Sequence, residues 1–184
     1  AKFNVLGNKM MPEYAAELGV KFVNNGSLIV AFSEEELQTL QELKERGETN
    51  GVSDLEIIDA KTLRALEPNI SDEAVGALHA KTGGIICPYG LTIAAIGNAM
   101  DNGAKLYTDF EVCAIEKNAS GFAVKSTKAQ TVEGKVVINC AGLFAGKIAA
   151  LAGDTDIDVR ARKGEYILLD RESGDFVSHT LFFT

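Results

Sequence analysis

The sequence predicts a mixed fold in which an α/β layer is combined with an α+β portion. Strand and helix patterns alternate from Leu91 to Gly153, as they do in one layer of an α/β domain. The flanking segments are richer in strand patterns, which places them in another layer or lobe. The clearest single element is the apolar run Val136–Asn139, which is typical of a strand buried on both faces and continues through Ala141-Gly142 into a predicted helix.

The first half of the chain alternates between short helices and strands. Apolar residues at helical spacing predict a helix over residues 1–19. The turn signal Asn25-Gly26, with alternating residues after it, predicts a hairpin over Lys21–Phe32. Ser33 and Glu36 form a capping-box pattern that starts a second helix. The other elements predicted in this half are a strand over Leu55–Ile58, an Asp59-capped helix over Lys61–Leu66, and strands over Ala74–Ala80 and Gly84–Cys87.

The second half begins with a helix that follows Pro88-Tyr89-Gly90 and ends at Gly103, which suits the C′ position. Alternating segments on either side of residues 118–121 predict an antiparallel hairpin. A later helix covers Leu143–Ala152, and its expected core stripe is Phe144, Ile148 and Leu151. The other predicted elements are strands over Lys105–Thr108, Thr131–Asn139, Val159–Asp170 and Ser178–Phe183.

Composition excludes several classes of protein. The formal net charge of −8 disfavours nucleic acid as a partner, because no basic patch is available to neutralise phosphates. No apolar run is long enough to span a bilayer. The cysteines Cys87, Cys113 and Cys140 are far apart and have no metal-binding spacing. Their apolar surroundings predict buried thiols in a reducing, cytoplasmic compartment.

The chain lacks the short motifs that identify most nucleotide-binding and hydrolytic sites. It has no G-x-G-x-x-G cradle for a dinucleotide, no Walker A loop, no H-E-x-x-H and no G-x-S-x-G. Its only histidines are His79 and His179, so a histidine-rich metal site is ruled out and no metal is expected. Each histidine is interpreted as a surface or strand residue, and no residue stands out as a catalytic base.

The segment Arg160–Asp170 combines three cations, a glycine, an acid and a tyrosine at the start of an apolar strand pattern. Alternation along a strand places Glu165 and Tyr166 on opposite faces. In one interpretation Tyr166 lines a pocket and donates its hydroxyl hydrogen to a substrate oxygen. In the other it is a core tyrosine whose hydroxyl reaches the surface.

Four stretches of the chain, taken in order, resemble FAD-dependent oxidoreductases of the D-amino-acid-oxidase-like superfamily, in particular the glycerol-3-phosphate dehydrogenase and L-2-hydroxyglutarate oxidase type. These stretches are Asn25–Phe32, Thr82–Thr92, Val136–Gly153 and Arg162–Asp170. The resemblance implies an FAD-binding Rossmann-like layer and a substrate lobe, an antiparallel sheet that covers the flavin. It assigns residues 1–86 to the substrate lobe, 87–153 to the middle of the FAD-binding domain, and 154–184 to returning strands of the lobe. We therefore expect the chain to be the middle piece of such an enzyme.

The resemblance also implies roles for individual residues. Val112 matches the position whose backbone meets the adenine, while Ala141 and Gly142 match small residues that pass close to the cofactor. Tyr166 matches a position in the substrate lobe that faces the flavin. FAD is accordingly expected in the full-length enzyme. This chain is not expected to retain FAD, because the cradle for the pyrophosphate is absent.

The implied chemistry is a two-electron oxidation in which a C–H next to a hydroxyl gives a hydride to the flavin while a base takes the hydroxyl proton. The implied substrate is a small hydroxy compound such as glycerol 3-phosphate or an L-2-hydroxyacid. Two alternatives stay open: a free-standing binding module without a cofactor, and an interaction domain that self-associates through exposed edge strands. The chain on its own is expected to be inactive.

Overall fold

The structure is a computed structural model that describes residues 2–184. Within that range the chain forms five α-helices and nine β-strands. The helices are α1 (Lys2–Glu17), α2 (Glu34–Thr49), α3 (Ala60–Leu66), α4 (Pro88–Asp101) and α5 (Ala145–Leu151). The strands are β1 (Phe22–Val23), β2 (Ser27–Ala31), β3 (Leu55–Asp59), β4 (Gly76–Ala80), β5 (Ile85–Ile86), β6 (Val112–Asn118), β7 (Gly121–Ser126), β8 (Thr131–Gly134) and β9 (Thr180–Phe183). The predicted mixed α/β fold is confirmed.

These elements form two compact units. The first unit contains the described chain up to Ala104 together with Leu168–Thr184, and the second is Lys105–Ile167. The first unit holds a four-stranded sheet and a two-stranded sheet, and the second holds a three-stranded sheet. The helix predicted over residues 1–19 is α1, and residue 1 lies outside the described residues.

The larger sheet of the first unit has the strand order β3-β4-β2-β9. Strand β4 pairs antiparallel with both β3 and β2, whereas β9 joins β2 in parallel. Alternation along β2 sends Leu28 and Val30 to one face of the sheet and Ile29 and Ala31 to the other. Helix α3 covers the first face and helix α2 covers the second, so apolar residues on both faces are buried.

Two predicted caps start helices α2 and α3 of this unit. The Glu36 N–H donates to the Ser33 hydroxyl at 3.2 Å, and the Glu36 carboxylate accepts from the Phe32 N–H at 2.6 Å. This arrangement is a capping box whose return bond reaches one residue before the cap. Asp59 caps α3 by accepting from the Thr62 N–H at 2.8 Å, and hydrogen bonding by Thr62 holds the pKa of Asp59 below its ordinary range.

The prediction of a hairpin over Lys21–Phe32 is wrong. Strand β1 pairs with β5, while β2 pairs with β4 and β9, so the two strands lie in different sheets. Gly26 does have the left-handed backbone expected of a turn, with φ +70°, but its N–H donates to the Gly83 carbonyl. Two further strands and a buried core stabilise β2 more than an isolated hairpin would.

Helix α4 ends as predicted. Gly103 has φ +91°, and its N–H donates to the Met100 carbonyl at 2.9 Å. A side chain at this left-handed position would be strained, which is why glycine suits it. The strands predicted over Leu55–Ile58, Ala74–Ala80 and Gly84–Cys87 are also present, as β3, β4 and β5.

The second unit is built on a three-stranded antiparallel sheet of order β6-β7-β8. Strands β6 and β7 form the hairpin predicted around residues 118–121, with a register irregularity between Val112 and Ala114. After β8 the chain runs through a 3₁₀ turn, Gly142–Phe144, into α5. The predicted helix over Leu143–Ala152 is therefore confirmed, although Phe144 is 67% exposed rather than part of a core stripe.

Three predicted strands are absent from the described residues: Lys105–Thr108, the portion of Thr131–Asn139 beyond β8, and Val159–Asp170. The apolar run of the second segment is open to solvent, since Val136 and Ile138 are 74% and 83% exposed. A strand needs a neighbour to pair its backbone N–H and C=O groups. No strand in residues 2–184 pairs with any of these three segments, so their backbone groups belong to no sheet.

The prediction of buried thiols is also wrong. Cys87, Cys113 and Cys140 are all free and exposed. Cys87 lies at the N-cap of α4, where its sulfur accepts from the Gly90 N–H at 3.4 Å. Cys113 lies at the irregularity in β6, and Cys140 lies in the unpaired segment before α5. Apolar neighbours in the sequence did not predict the burial of these thiols, because no described helix or strand covers them.

None of the helices in residues 2–184 combines the length and the apolar character that crossing a bilayer requires.

Replacing Ser33 by alanine is expected to lower the free energy of unfolding of the first unit by about 1 kcal/mol, because the Glu36 N–H loses its acceptor. The matched control is Ser33→Thr, which keeps a hydroxyl at the cap and should retain most of that stability. Urea unfolding monitored by circular dichroism measures both variants. Equal midpoints for Ser33→Ala and the unmodified chain would contradict the cap's contribution.

Candidate functional site

A cleft in the second unit brings two of the predicted cofactor-binding residues together. Val112 is the first residue of β6, and Ala141 immediately precedes the 3₁₀ turn before α5. Both line a cleft of about 400 Å³ between the start of β6 and the helix. The remaining lining residues are Phe110, Glu111, Phe144, Lys147 and Ile148.

The walls of this cleft suit a flat heterocycle. Phe110, Phe144 and Ile148 contribute aromatic and aliphatic surface, and Lys147 adds an exposed positive charge. Strand β6 is an edge strand, and within residues 2–184 no strand pairs with its outer side. Backbone N–H and C=O groups on that side are therefore available to the polar edge of a base. The residues fit the adenosine end of a dinucleotide, and the sequence holds no cradle for a pyrophosphate.

The turn that carries Ala141 is held by Asn139. The Asn139 side-chain amide donates to the Ala145 carbonyl at 2.8 Å, and its oxygen accepts from the Ala141 N–H at 3.2 Å. These two bonds orient the entry into α5 in the absence of a strand over residues 136–139. This role of Asn139 is not among the features predicted from the sequence.

Gly142 follows Ala141 in a left-handed conformation with φ +55°. A Cβ built at this position would meet nothing within 4 Å. The backbone conformation, rather than crowding by protein atoms, is therefore what favours glycine here. A close approach occurs instead at Gly146 in α5, where a Cβ would lie 2.6 Å from the Ile157 carbonyl oxygen.

Tyr166 is not part of this cleft. It lies in the unpaired segment before the second 3₁₀ turn, Arg171–Ser173, and its surface is 97% exposed. Its neighbours Lys163 and Glu165 form an exposed ion pair at 2.5 Å. The structure brings Val112 and Ala141 together, with Gly142 beside them, and leaves the role of Tyr166 as a prediction.

A second polar cluster lies in the first unit, where the segment before β9 meets the end of α3. The side chain of Glu67 is 2% exposed, and its Oε1 accepts from the backbone N–H groups of Ser178 and His179 at 2.9 and 2.6 Å. The Ser178 hydroxyl donates to the same oxygen at 2.6 Å, and His179 Nδ1 lies 2.6 Å from it. Because a carboxylate only accepts, Nδ1 of His179 carries the proton.

The two histidines meet beside this carboxylate. Their rings are edge to face, with centroids 5.5 Å apart. Burial, followed by the positive charges of His179 and Lys81, lowers the pKa of His79 below its ordinary value. Burial alone would raise the pKa of Glu67, but the hydrogen bonds from Ser178 and His179 outweigh it and lower that pKa. No local pattern in the chain predicts this cluster, since Glu67 and His179 are 112 residues apart.

Within residues 2–184, no three His, Cys, Asp or Glu side chains come together in a way that could hold a metal ion.

Replacing Gly142 by alanine is expected to cost about 1–2 kcal/mol of stability, because an L side chain disfavours the left-handed conformation even where space is free. Gly142→Asn is the matched control and should cost clearly less, since asparagine tolerates this conformation. Thermal unfolding of the two variants, read from amide signals of the second unit, measures the difference. Unchanged thermal stability of Gly142→Ala would show that the left-handed conformation at this position does not require glycine.

Comparison with known proteins identifies relatives over nearly the whole chain. The model of a family described as FAD dependent oxidoreductase matches residues 1–183. A glycerol 3-phosphate dehydrogenase of Caloramator mitchellensis is 42% identical over 181 residues, which cover 98% of this chain and 38% of the relative. The mitochondrial L-2-hydroxyglutarate dehydrogenase of Mus musculus is 30% identical, and the match covers 99% of this chain and 41% of that protein.

Solved structures agree with these relatives. The FAD-bound, dithionite-reduced L-alpha-glycerophosphate oxidase of Mycoplasma pneumoniae superposes with a TM-score of 0.77 at 25% identity, covering 99% of this chain and 49% of that one. L-proline dehydrogenase from P. horikoshii superposes with a TM-score of 0.71 at 26% identity, over 80% of this chain and 39% of that one. The chain thus spans less than half the length of the proteins it matches. The family match over residues 1–183 shows that this chain belongs to the FAD-dependent oxidoreductases.

Proposed function

We propose that this chain forms the adenosine-facing wall of an FAD site, together with part of a substrate lobe, in an enzyme that oxidises a small hydroxy compound. The observation that carries this proposal is the cleft that joins Val112 and Ala141. The family resemblance implies a cofactor contact for both residues, and they come from segments about 30 positions apart. Family membership supports FAD as the group that such a cleft would take.

The proposed substrate is glycerol 3-phosphate or an L-2-hydroxyacid. Support comes from the relatives, which are named glycerol 3-phosphate dehydrogenase and L-2-hydroxyglutarate dehydrogenase. Bound FAD supplies an acceptor for a hydride from the carbon that bears the hydroxyl. For their part, Val112, Ala141 and Gly142 would hold the adenosine end, and the Tyr166 hydroxyl would donate a hydrogen bond to a substrate oxygen.

The proposed domain division follows the family organisation. Residues 1–86 would belong to the substrate lobe, 87–153 to the middle of the FAD-binding domain, and 154–184 to returning strands of the lobe. The four-stranded sheet of the first unit supports the lobe assignment, because it contains both an N-terminal portion and β9. A division by compactness has other bounds, because it separates only Lys105–Ile167 from the rest of the chain.

The proposed partners and compartment rest on charge and on the thiols. A net charge of −8 favours a small-molecule substrate over nucleic acid. Three free, exposed cysteines support a reducing compartment such as the cytoplasm, where exposed thiols persist without forming disulfides.

A second candidate function is a binding or interaction module that works without a cofactor. The observation in its favour is that the four-stranded sheet buries both of its faces with residues of this chain. Strand β9 is also an edge strand, with Phe182 and Phe183 largely exposed. Such an edge is available for pairing with a second copy.

The isolated chain is expected to be purified without bound flavin, because it has no G-x-G-x-x-G cradle for the pyrophosphate. The visible absorbance of the purified protein, before and after denaturation, measures the flavin content. Stoichiometric flavin in that preparation would contradict this expectation. A colourless protein that is dimeric in sedimentation and lacks any response to added FAD would favour the interaction module.

Added FAD is expected to shift the amide signals of Val112, Ala141 and Ile148 in a labelled sample, because these residues line the cleft. Ala141→Phe should abolish the shifts by filling the cleft. Ala150→Phe is the matched control, since Ala150 lies on α5, is exposed and does not line the cleft. Shifts that survive in Ala141→Phe, or that map only to the first unit, would place any flavin contact elsewhere.

A further inference from the structure

The attachment of β9 differs from that of the other strands in its sheet. Strands β3, β4 and β2 are neighbours through antiparallel pairs, whereas β9 adds in parallel at the edge. Phe182 and Phe183 are 51% and 80% exposed, so the outer end of β9 buries little apolar surface. The inner end is held instead by polar contacts at Ser178 and His179, just before the strand begins.

Glu67 makes most of those contacts. It accepts from two backbone N–H groups, one hydroxyl and one imidazole, all belonging to Ser178 and His179. Asn25 adds a longer hydrogen bond at the start of β9, where its side-chain amide donates to the Thr180 hydroxyl at 3.2 Å. Removing the charge or the hydrogen-bond donors of a buried carboxylate lowers stability far more than the same change at an exposed carboxylate. The entry to β9 is therefore attached to α3 through the hydrogen bonds that Glu67 accepts.

The charged and titratable groups around the cluster come from each packed element. His79 on β4 faces His179, and on its other side it faces Lys81 and Glu56, which form an ion pair at 2.6 Å. Glu67, after α3, faces Ser178 and His179. A positive charge on His79 would lie beside the His179 ring, since the two ring centroids are 5.5 Å apart and both residues are partly buried.

We propose that Glu67, His179 and His79 form an acid-sensitive latch, which holds β9 on the sheet near neutral pH and releases it when His79 becomes positively charged beside His179. The residues of the latch all belong to the first unit. Its direct reporter is the Thr180 N–H, which donates to the Gly26 carbonyl at 3.2 Å where β9 begins.

The sign of the pH dependence follows from the lowered pKa values of His79 and Glu67. A group that binds its proton more weakly in the folded chain stabilises the fold fully above its unfolded pKa, and that stabilisation is lost as pH falls. For His79 the loss begins below the ordinary value of 6.5, and for Glu67 it begins below 4.5. Mild acid should therefore weaken the latch through His79 before Glu67 is protonated.

Hydrogen exchange of the 184-residue chain, resolved by residue with NMR and corrected for the intrinsic effect of pH, tests the latch. Between about pH 7.5 and about pH 5, the protection factor of the Thr180 amide is expected to fall by about tenfold or more. Amides in the β6–β7 hairpin of the second unit serve as the internal reference and should keep their protection. A Thr180 protection factor that stays constant relative to this reference would overturn the proposal.

Two variants separate the latch from general acid sensitivity. His79→Gln stays neutral at every pH and should keep Thr180 protected in mild acid, whereas an equal fall in this variant would overturn the role of His79. Glu67→Gln should reduce Thr180 protection already at neutral pH. Glu73→Gln is the matched control, because Glu73 is exposed and lies outside the cluster. If Glu67→Gln does not fold, the comparison of His79→Gln with the unmodified chain still decides the outcome.

Discussion

Pairing of β2 with strands on both of its sides organises the first unit. β4 and β9 satisfy the backbone groups along the two edges of β2, and that pairing sets which face each side chain occupies. Leu28 and Val30 then meet α3, while Ala31 meets α2. Fully burying a side chain such as Leu28 contributes about 2 kcal/mol. The helices pack where they do because this central strand presents apolar residues on both faces.

The same requirement for a partner explains the second unit. Its three strands pair with one another, but the apolar run after β8 pairs with no strand among the described residues, and Val136 and Ile138 are largely exposed. The start of β6 and the beginning of α5 are consequently left with an open cleft between them. A planar ligand with a polar edge matches both the apolar walls and the unpaired side of β6. Under the proposed function, a cofactor rather than another strand would complete the packing at this cleft.

Glu67 shows how a buried charge can connect distant parts of a chain. Its carboxylate lies at the end of α3 and is satisfied only by groups that precede β9. The sheet therefore depends on one ionised side chain at the position where its last strand enters. Hydrophobic packing holds β2, β3 and β4 and reaches β9 through Leu181, whereas this polar contact holds the entry to β9.

Local sequence determined the features that depend on neighbouring residues. The caps at Ser33 and Asp59, the end of α4 at Gly103 and the β6–β7 hairpin all follow from short-range hydrogen bonding and backbone preference. The order of four familiar stretches also indicated the family. Only the tertiary structure decided which strands pair, because pairing depends on partners far away in the chain. It alone separated β1 from β2, left Val136–Asn139 unpaired, exposed the three thiols and joined Glu67 to His179, since each outcome depends on what covers or contacts a residue in space.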